Sequence, residues 1–117
     1  MELDVISNIN SINRDIVIEL DNSTHWSDYV KQFSKKKLKD EFFEKNVNDL
    51  PKSSKGNRCY LSYNNKIYAW VEIYSITKKA KYTSIKMFPY LTFVIPSIDC
   101  SGFAEDYRYF YDNSKDQ

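Results

Sequence analysis

The sequence predicts an α+β fold: a mostly antiparallel sheet, or a small pseudobarrel, with one main helical region. Three observations predict it. Two β-rich runs, RCYLSY and KIYAWVEIYSI, flank Asn64-Asn65, and asparagine tolerates the positive φ of a tight hairpin turn. Two further β-rich runs follow at 82–88 and 90–95, each ended by a proline. Trp26, Tyr29, Val30 and Phe33 recur at i, i+3, i+4 and i+7, one face of a helix. With 117 residues, 42% hydrophobic and 28% charged, the chain suits one packed domain, residues 1–117, and hardly two.

At the N-terminus, Leu3, Val5, Ile6, Ile9 and Ile12 are spaced mostly by three and four and predict a short amphipathic helix. Residues 14–20, RDIVIEL, read as a strand rich in β-branched side chains. Asp21-Asn22-Ser23 supplies turn chemistry and an N-cap. The helical region that follows is predicted over 24–47, because Leu38 and Phe42 in KKKLKDEFFEKN are again four apart. The step from Phe33 to Leu38 is five, so this is one bent helix or two short ones, ending near Asn46 before Pro51. Residues 51–57, PKSSKGN, form a loop. In the hairpin a two-residue turn sets Tyr63 opposite Lys66, Leu61 opposite Tyr68 and Cys59 opposite Trp70. One face then carries Cys59, Leu61, Tyr63, Lys66, Tyr68, Trp70, Glu72 and Tyr74. The other carries Tyr60, Ser62, Ile67, Ala69, Val71 and Ile73, and is the aliphatic, core-facing one. Residues 77–81, TKKAK, form a basic turn, and Asp99 to Gly102 another. Residues 103–111, FAEDYRYFY, read as a final strand by their alternation, with a short helix as the alternative.

Several function classes lose their parts. With only Gly56 and Gly102 the chain has neither a phosphate-binding loop nor a dinucleotide fingerprint. His25 is the sole histidine, and Cys59 and Cys100 are the only cysteines, so a zinc site of the usual kind cannot be assembled within one chain. The expectation is a non-catalytic protein with no metal and no cofactor. Two buried, reduced thiols and an N-terminus without the pattern of a secretory signal predict a cytoplasmic location. No apolar run is long enough for a membrane span.

The net charge of +1 hides a division. Residues 1–50 carry −3, residues 51–100 carry +6 and residues 101–117 carry −2. A basic middle between acidic ends suits an anionic partner, unless the charges mix in three dimensions. The cations are 14 lysines and three arginines, point charges for phosphate backbones rather than forks for base edges. Richness in Lys, Asn, Ile and Tyr is also what AT-rich coding sequence yields, as in a low-GC bacterium or its phage.

These features predict a small nucleic-acid-binding module, for RNA or single strands. Lys66, Lys78, Lys79, Lys81 and Lys86 hold the backbone, and Tyr68 and Trp70 stack on bases. The competing outcome is that the helix at 24–47 covers the aromatic face and makes it core. The competing function is a phage or mobile-element interaction protein that binds and inhibits a host protein such as a defence nuclease, using Tyr and Trp as anchors.

The stretch KGNRCYLSYNNKIYAWVEI resembles the strand pair of PUA-like domains, including the ASCH and EVE branches, and PYLTFVIP and RYFY are similar to their closing strands. The resemblance covers about residues 50–111. It implies a pseudobarrel and an RNA or modified-nucleotide binder rather than a catalyst.

Overall fold

A computed structural model describes residues 14–35, 42–100 and 107–110. Along these the chain forms β1 (Ile16–Glu19), α1 (Trp26–Lys35), β2 (Phe43–Val47), β3 (Arg58–Tyr63), β4 (Lys66–Lys78), β5 (Thr83–Met87), β6 (Thr92–Asp99) and β7 (Tyr107–Tyr109). The described residues are mainly sheet with one helix. The strands form a single seven-stranded sheet in the order β2-β5-β4-β3-β1-β7, with β6 also paired to β4, and the sheet curls as a half-barrel. The helix predicted over residues 3–12 lies outside the described residues.

Strand β4, 13 residues long, holds the sheet together because it pairs with three others. Its N-terminal half runs between β3 and β6, and its C-terminal half pairs with β5. The β3–β4 turn is the predicted two-residue one: Asn64 and Asn65 have φ of 51° and 64°, and Tyr63 faces Lys66. Strand β1 pairs with β7 antiparallel and with β3 parallel. A parallel pair needs a crossover, and the chain between β1 and β3, including α1, supplies it.

The helix shows the predicted face. Phe33 and Tyr29 are buried, and Trp26 and Val30 are half-buried beside them. Ahead of it, the Asp21 carboxylate accepts from the Ser23 N–H (2.9 Å) and hydroxyl (2.8 Å), and the Tyr29 hydroxyl donates to the Asp21 carbonyl (3.1 Å). The Ser23 bonds, the backbone one foremost, hold the Asp21 carboxyl below its ordinary value.

Three expectations are corrected. The helical region does not run to residue 47: residues 43–47 are β2, paired antiparallel with β5, and residues 36–41 lie outside the described residues. The period over Phe43, Lys45 and Val47 is two, with Glu44 and Asn46 exposed between them, and the open edge of β5 rewards that pattern. Strand β6 does not end at Pro96 but runs through it to Asp99. The β4–β6 ladder jumps from the Ile67–Ile98 pair to the Ala69–Phe93 pair, so Pro96 sits where the ladder does not need its missing donor.

The third correction concerns the hairpin faces. Ser62 pairs with Ile67, but Leu61 pairs with Ala69, leaving Tyr68 as an extra residue in β4. Beyond this bulge Cys59 faces Val71 and Tyr60 faces Trp70. The core is therefore split across the sheet. Toward α1 lie Ile16, Ile18, Cys59, Leu61, Tyr63, Val71, Ile73, Ile85 and Met87, with Tyr29 and Phe33 upon them. On the other face Val17, Tyr60 and Ile67 form a second cluster, against which Trp70, Val94, Ile98, Cys100 and Phe110 pack.

The packing makes Phe33→Ala costly. Phe33 stacks on Phe43 at 4.5 Å and is 2% exposed, so chemical denaturation should report a loss of about 3–5 kcal/mol. In the turn, Asn65→Val should destabilise by about 1–2 kcal/mol, while Asn65→Gly is tolerated, because the left-handed φ there crowds the Cβ of most side chains, a β-branched one most of all, and glycine has none. A lowered carboxyl pKa stabilises above its unfolded value and is lost as pH falls through its folded one. Asp21→Asn should therefore lower the melting temperature at neutral pH, with the gap to the parent beginning to close below about pH 4 and vanishing only beneath the lowered folded value.

Candidate nucleic-acid interface

The seven predicted side chains do not form one site. The bulge at Tyr68 separates the two intended stacking rings. Tyr68 turns toward α1, where its ring stacks on Trp26 with centroids 5.2 Å apart and lies 6.5 Å from Tyr63. That aromatic cluster belongs to the core under the helix. Trp70 emerges on the opposite face, half-buried beside Tyr60 and Val94. Lys66 stands at the first position of β4, opposite Tyr63 and Asp99. Lys78 stands at the last position of the same strand, so at ~3.3 Å per residue the two are separated by roughly 40 Å of chain.

Lys78, Lys79 and Lys81 are brought together. They are exposed around the β4–β5 turn, which the Lys79 N–H closes by donating to the Tyr82 carbonyl at 2.7 Å. Tyr82 is 38% exposed beside them. The stretch from Thr77 to Thr83 carries no carboxylate, so these lysines set a positive tip. Lys86 is exposed on β5, where it faces Ser75 on β4 and Glu44 on β2. The Glu44 carboxylate also accepts from the Ser84 hydroxyl.

Between the tip and Trp70 the outer face, the one away from α1, carries two cation–aromatic pairs. The Arg58 guanidinium lies over the Trp70 ring at 4.1 Å, and its Nη1 donates to the Tyr60 hydroxyl at 3.1 Å. One contact sets the guanidinium over the indole and the other ties one of its nitrogens to Tyr60, so two contacts hold this planar cation in place. The second pair is Lys55 over Tyr74, with Nζ 5.6 Å from the ring centre. Tyr74 is 37% exposed, stacks on Phe42 at 4.4 Å and meets Phe88 edge-on at 5.3 Å. A second register shift makes this possible: Ile73 pairs with Met87 and Ser75 with Lys86, leaving Tyr74 as an extra residue.

Arg58, Lys55 and Tyr74 complete a surface of which only Trp70, Lys86 and the tip lysines were predicted. Tyr74 was on the predicted aromatic face. The signal for Arg58 was weaker: it follows the loop as the first residue of β3, and only the bulge brings it beside Trp70 rather than behind it. The carboxylates on this surface have cations across the ladder. Glu72 faces Arg58 and Glu44 faces Lys86.

The two cysteines lie on opposite faces of the sheet. Cys59 packs in the cluster under α1, and burial pushes its thiol pKa far up. Cys100 packs in the second cluster, with its Sγ 3.5 Å from the Ser62 hydroxyl. An intrachain disulfide would have to cross the sheet.

No protein-family model, no curated protein and no solved structure matches the chain. Among the described residues no helix is long and apolar enough to cross a membrane.

The thiol geometry sets a direct test. With a chromogenic disulfide at pH 8, Cys59 of the native protein should stay unreactive and Cys100 should account for the accessible thiol. Both should react after denaturation. Peptide mapping of the labelled sites checks this, and an intrachain disulfide in the native protein would contradict it.

Proposed function

We propose that the chain is a small, non-catalytic module that binds RNA or single-stranded nucleic acid along the outer face of its sheet. The single observation that carries the reading is the Arg58 guanidinium held over the Trp70 ring at 4.1 Å. A planar cation of this kind takes a base on its plane, and stacking contributes about 1–3 kcal/mol per base. Lys55 and Tyr74 repeat the arrangement four residues further along β4. Lys86 and the Lys78, Lys79 and Lys81 tip continue the positive track for the phosphates. The strand texture that resembles PUA-like domains favours the same ligand class, and the curled sheet with one helix is read as an α+β pseudobarrel of that kind.

The reading assigns different roles to different residues. Trp70 and Arg58 stack, Lys86 and the tip lysines neutralise phosphates, Lys66 stands apart from the track, and Tyr68 supports the fold. Fluorescence anisotropy with a panel of labelled single-stranded RNA and DNA tests it. Charge reversal of Lys78, Lys79 and Lys81 together should abolish binding at moderate salt with the melting temperature unchanged. Neutralising them instead with Gln should lower the slope of log K against log salt by about 2. Arg58→Lys keeps the charge and removes the planar group, so it should weaken binding about tenfold with little change in that slope. Tyr68→Ala should instead lower the melting temperature. Absence of binding to every oligonucleotide at low salt overturns the reading.

A further inference from the structure

Among the described residues, the face of the sheet toward α1 carries a cleft beside β6. It has a volume of about 500 Å³ and lies between the C-terminal half of α1 and residues 89–93. Phe33 and Pro89, both buried, form its floor, Val30 and Ser34 line the helix side, and Leu91 and Phe93 line the other. The Ser34 hydroxyl donates to the Val30 carbonyl at 2.8 Å, which leaves the helix wall mainly apolar. Tyr90 and Phe93 are 57% and 50% exposed at the margin, and Ile95 on the same segment is 87% exposed. Large apolar side chains clustered around a concavity, unlike single ones scattered on a surface, mark a site for an apolar ligand.

The rim restricts what that ligand is. Lys31 lies three residues before Ser34 and one after Val30, and Lys35 lies four after Lys31, so both border the helix wall. Both are exposed. The one acidic side chain of α1, Asp28, sits a turn back toward its N-terminus. An apolar trough with cations along one margin complements a segment that carries an apolar stripe and a flanking row of carboxylates. An amphipathic helix presents both at fixed spacing.

We propose that this cleft docks an acidic amphipathic helix of a partner protein. Apolar anchors at i, i+3 or i+4, and i+7 lie between Val30 and Phe93, and carboxylates on the flank meet Lys31 and Lys35. The site is on the opposite side of the sheet from Arg58 and Trp70, so it stands whether or not the outer face binds nucleic acid.

The probe is a labelled synthetic peptide of about 16 residues, long enough to form a helix, with Leu at the anchor positions and Glu on the flank. Controls carry Lys in place of Glu, or the same composition scrambled. The Glu peptide should bind at least tenfold more tightly than either control, and methyl resonances of Val30 and Leu91 should shift. Lys31→Glu with Lys35→Glu should reverse the preference between the Glu and Lys peptides. Phe93→Ser, at a half-exposed position, should weaken the Glu peptide about tenfold. Should either variant lose its native circular dichroism, the resonance footprint on the parent protein decides. Failure of the Glu peptide to bind at millimolar concentration overturns the proposal. So do equal affinity for the Lys peptide, a footprint on the outer face, and sedimentation showing the chain dimerises through Phe93, which would make a second copy the occupant.

Discussion

Between Ile67 and Ala69 the β3–β4 ladder carries one residue more on β4 than on β3, and the layout of both faces follows from it. An unbroken ladder keeps alternate residues on one side, so Tyr68 and Trp70 would share a face. The bulge returns Tyr68 to the side of Cys59 and Leu61 and turns Trp70 to the side of Tyr60. The helix then has an aromatic seat in Tyr63 and Tyr68, and the outer face has an indole for Arg58. The second shift, at Tyr74, repeats the effect against β5. Bulges increase local twist and bend the strand that carries them. With two of them, β4 curls enough to pair with β6 at one end and β5 at the other.

The position of Arg58 has a buried cause. Asp15 is 5% exposed, and its carboxylate accepts from the Arg58 backbone N–H at 2.8 Å and from the Asn57 amide at 3.3 Å. A carboxylate so deeply placed is costly unless donors surround it, so those donors are held firmly. Just before Asp15, the Arg14 N–H donates to the Lys52 carbonyl at 3.0 Å, and the Arg14 guanidinium lies 5.1 Å from the Tyr109 ring centre. The start of β1 thereby fixes the start of β3. The guanidinium of Arg58 is then aimed from a backbone that has little freedom, and a pre-positioned cation loses less entropy on binding than a mobile lysine. Lys78, Lys79 and Lys81 are exposed, and among the described residues their side chains show no such anchoring. They suit the long-range, sequence-independent part of an electrostatic encounter.

Local signals were readable where the chain's own geometry decides the outcome. Asn64-Asn65 fixes the hairpin turn because few other residue pairs accept φ of 51° and 64°. The spacing of Trp26, Tyr29, Val30 and Phe33 fixes α1 because those side chains stack every turn. What was not readable depends on partners distant in the sequence. Phe42 and Leu38 match a helical period as well as Phe43, Lys45 and Val47 match a strand, and the choice for 43–47 is made by the edge of β5, some 40 residues away. The parallel pairing of β1 with β3 leaves no local mark at all. Bulges are the hardest case: an extra residue in a run of alternating aromatics looks the same before and after the shift. That is why Tyr68 and Trp70 read as one face in the sequence and lie on two in the structure, and why Arg58 leaves no local sign of its place beside Trp70.

The sheet presents two different chemistries back to back. Outward, aromatic rings are capped by cations: Arg58 on Trp70 and Lys55 on Tyr74. Inward, beyond the edge of α1, aromatic rings stand open around an apolar floor and the cations are set back on the helix rim. A capped ring favours a planar, electron-rich or anionic ligand, because the charge is already over the π face. An open ring beside a trough favours apolar anchors, with charge acting only at the margin. The layer between the two surfaces is β4 with its neighbours, whose side chains there, Ile67, Ala69, Val71 and Ile73, are all fully buried. Close packing of these side chains makes one continuous apolar layer that keeps the two chemistries apart.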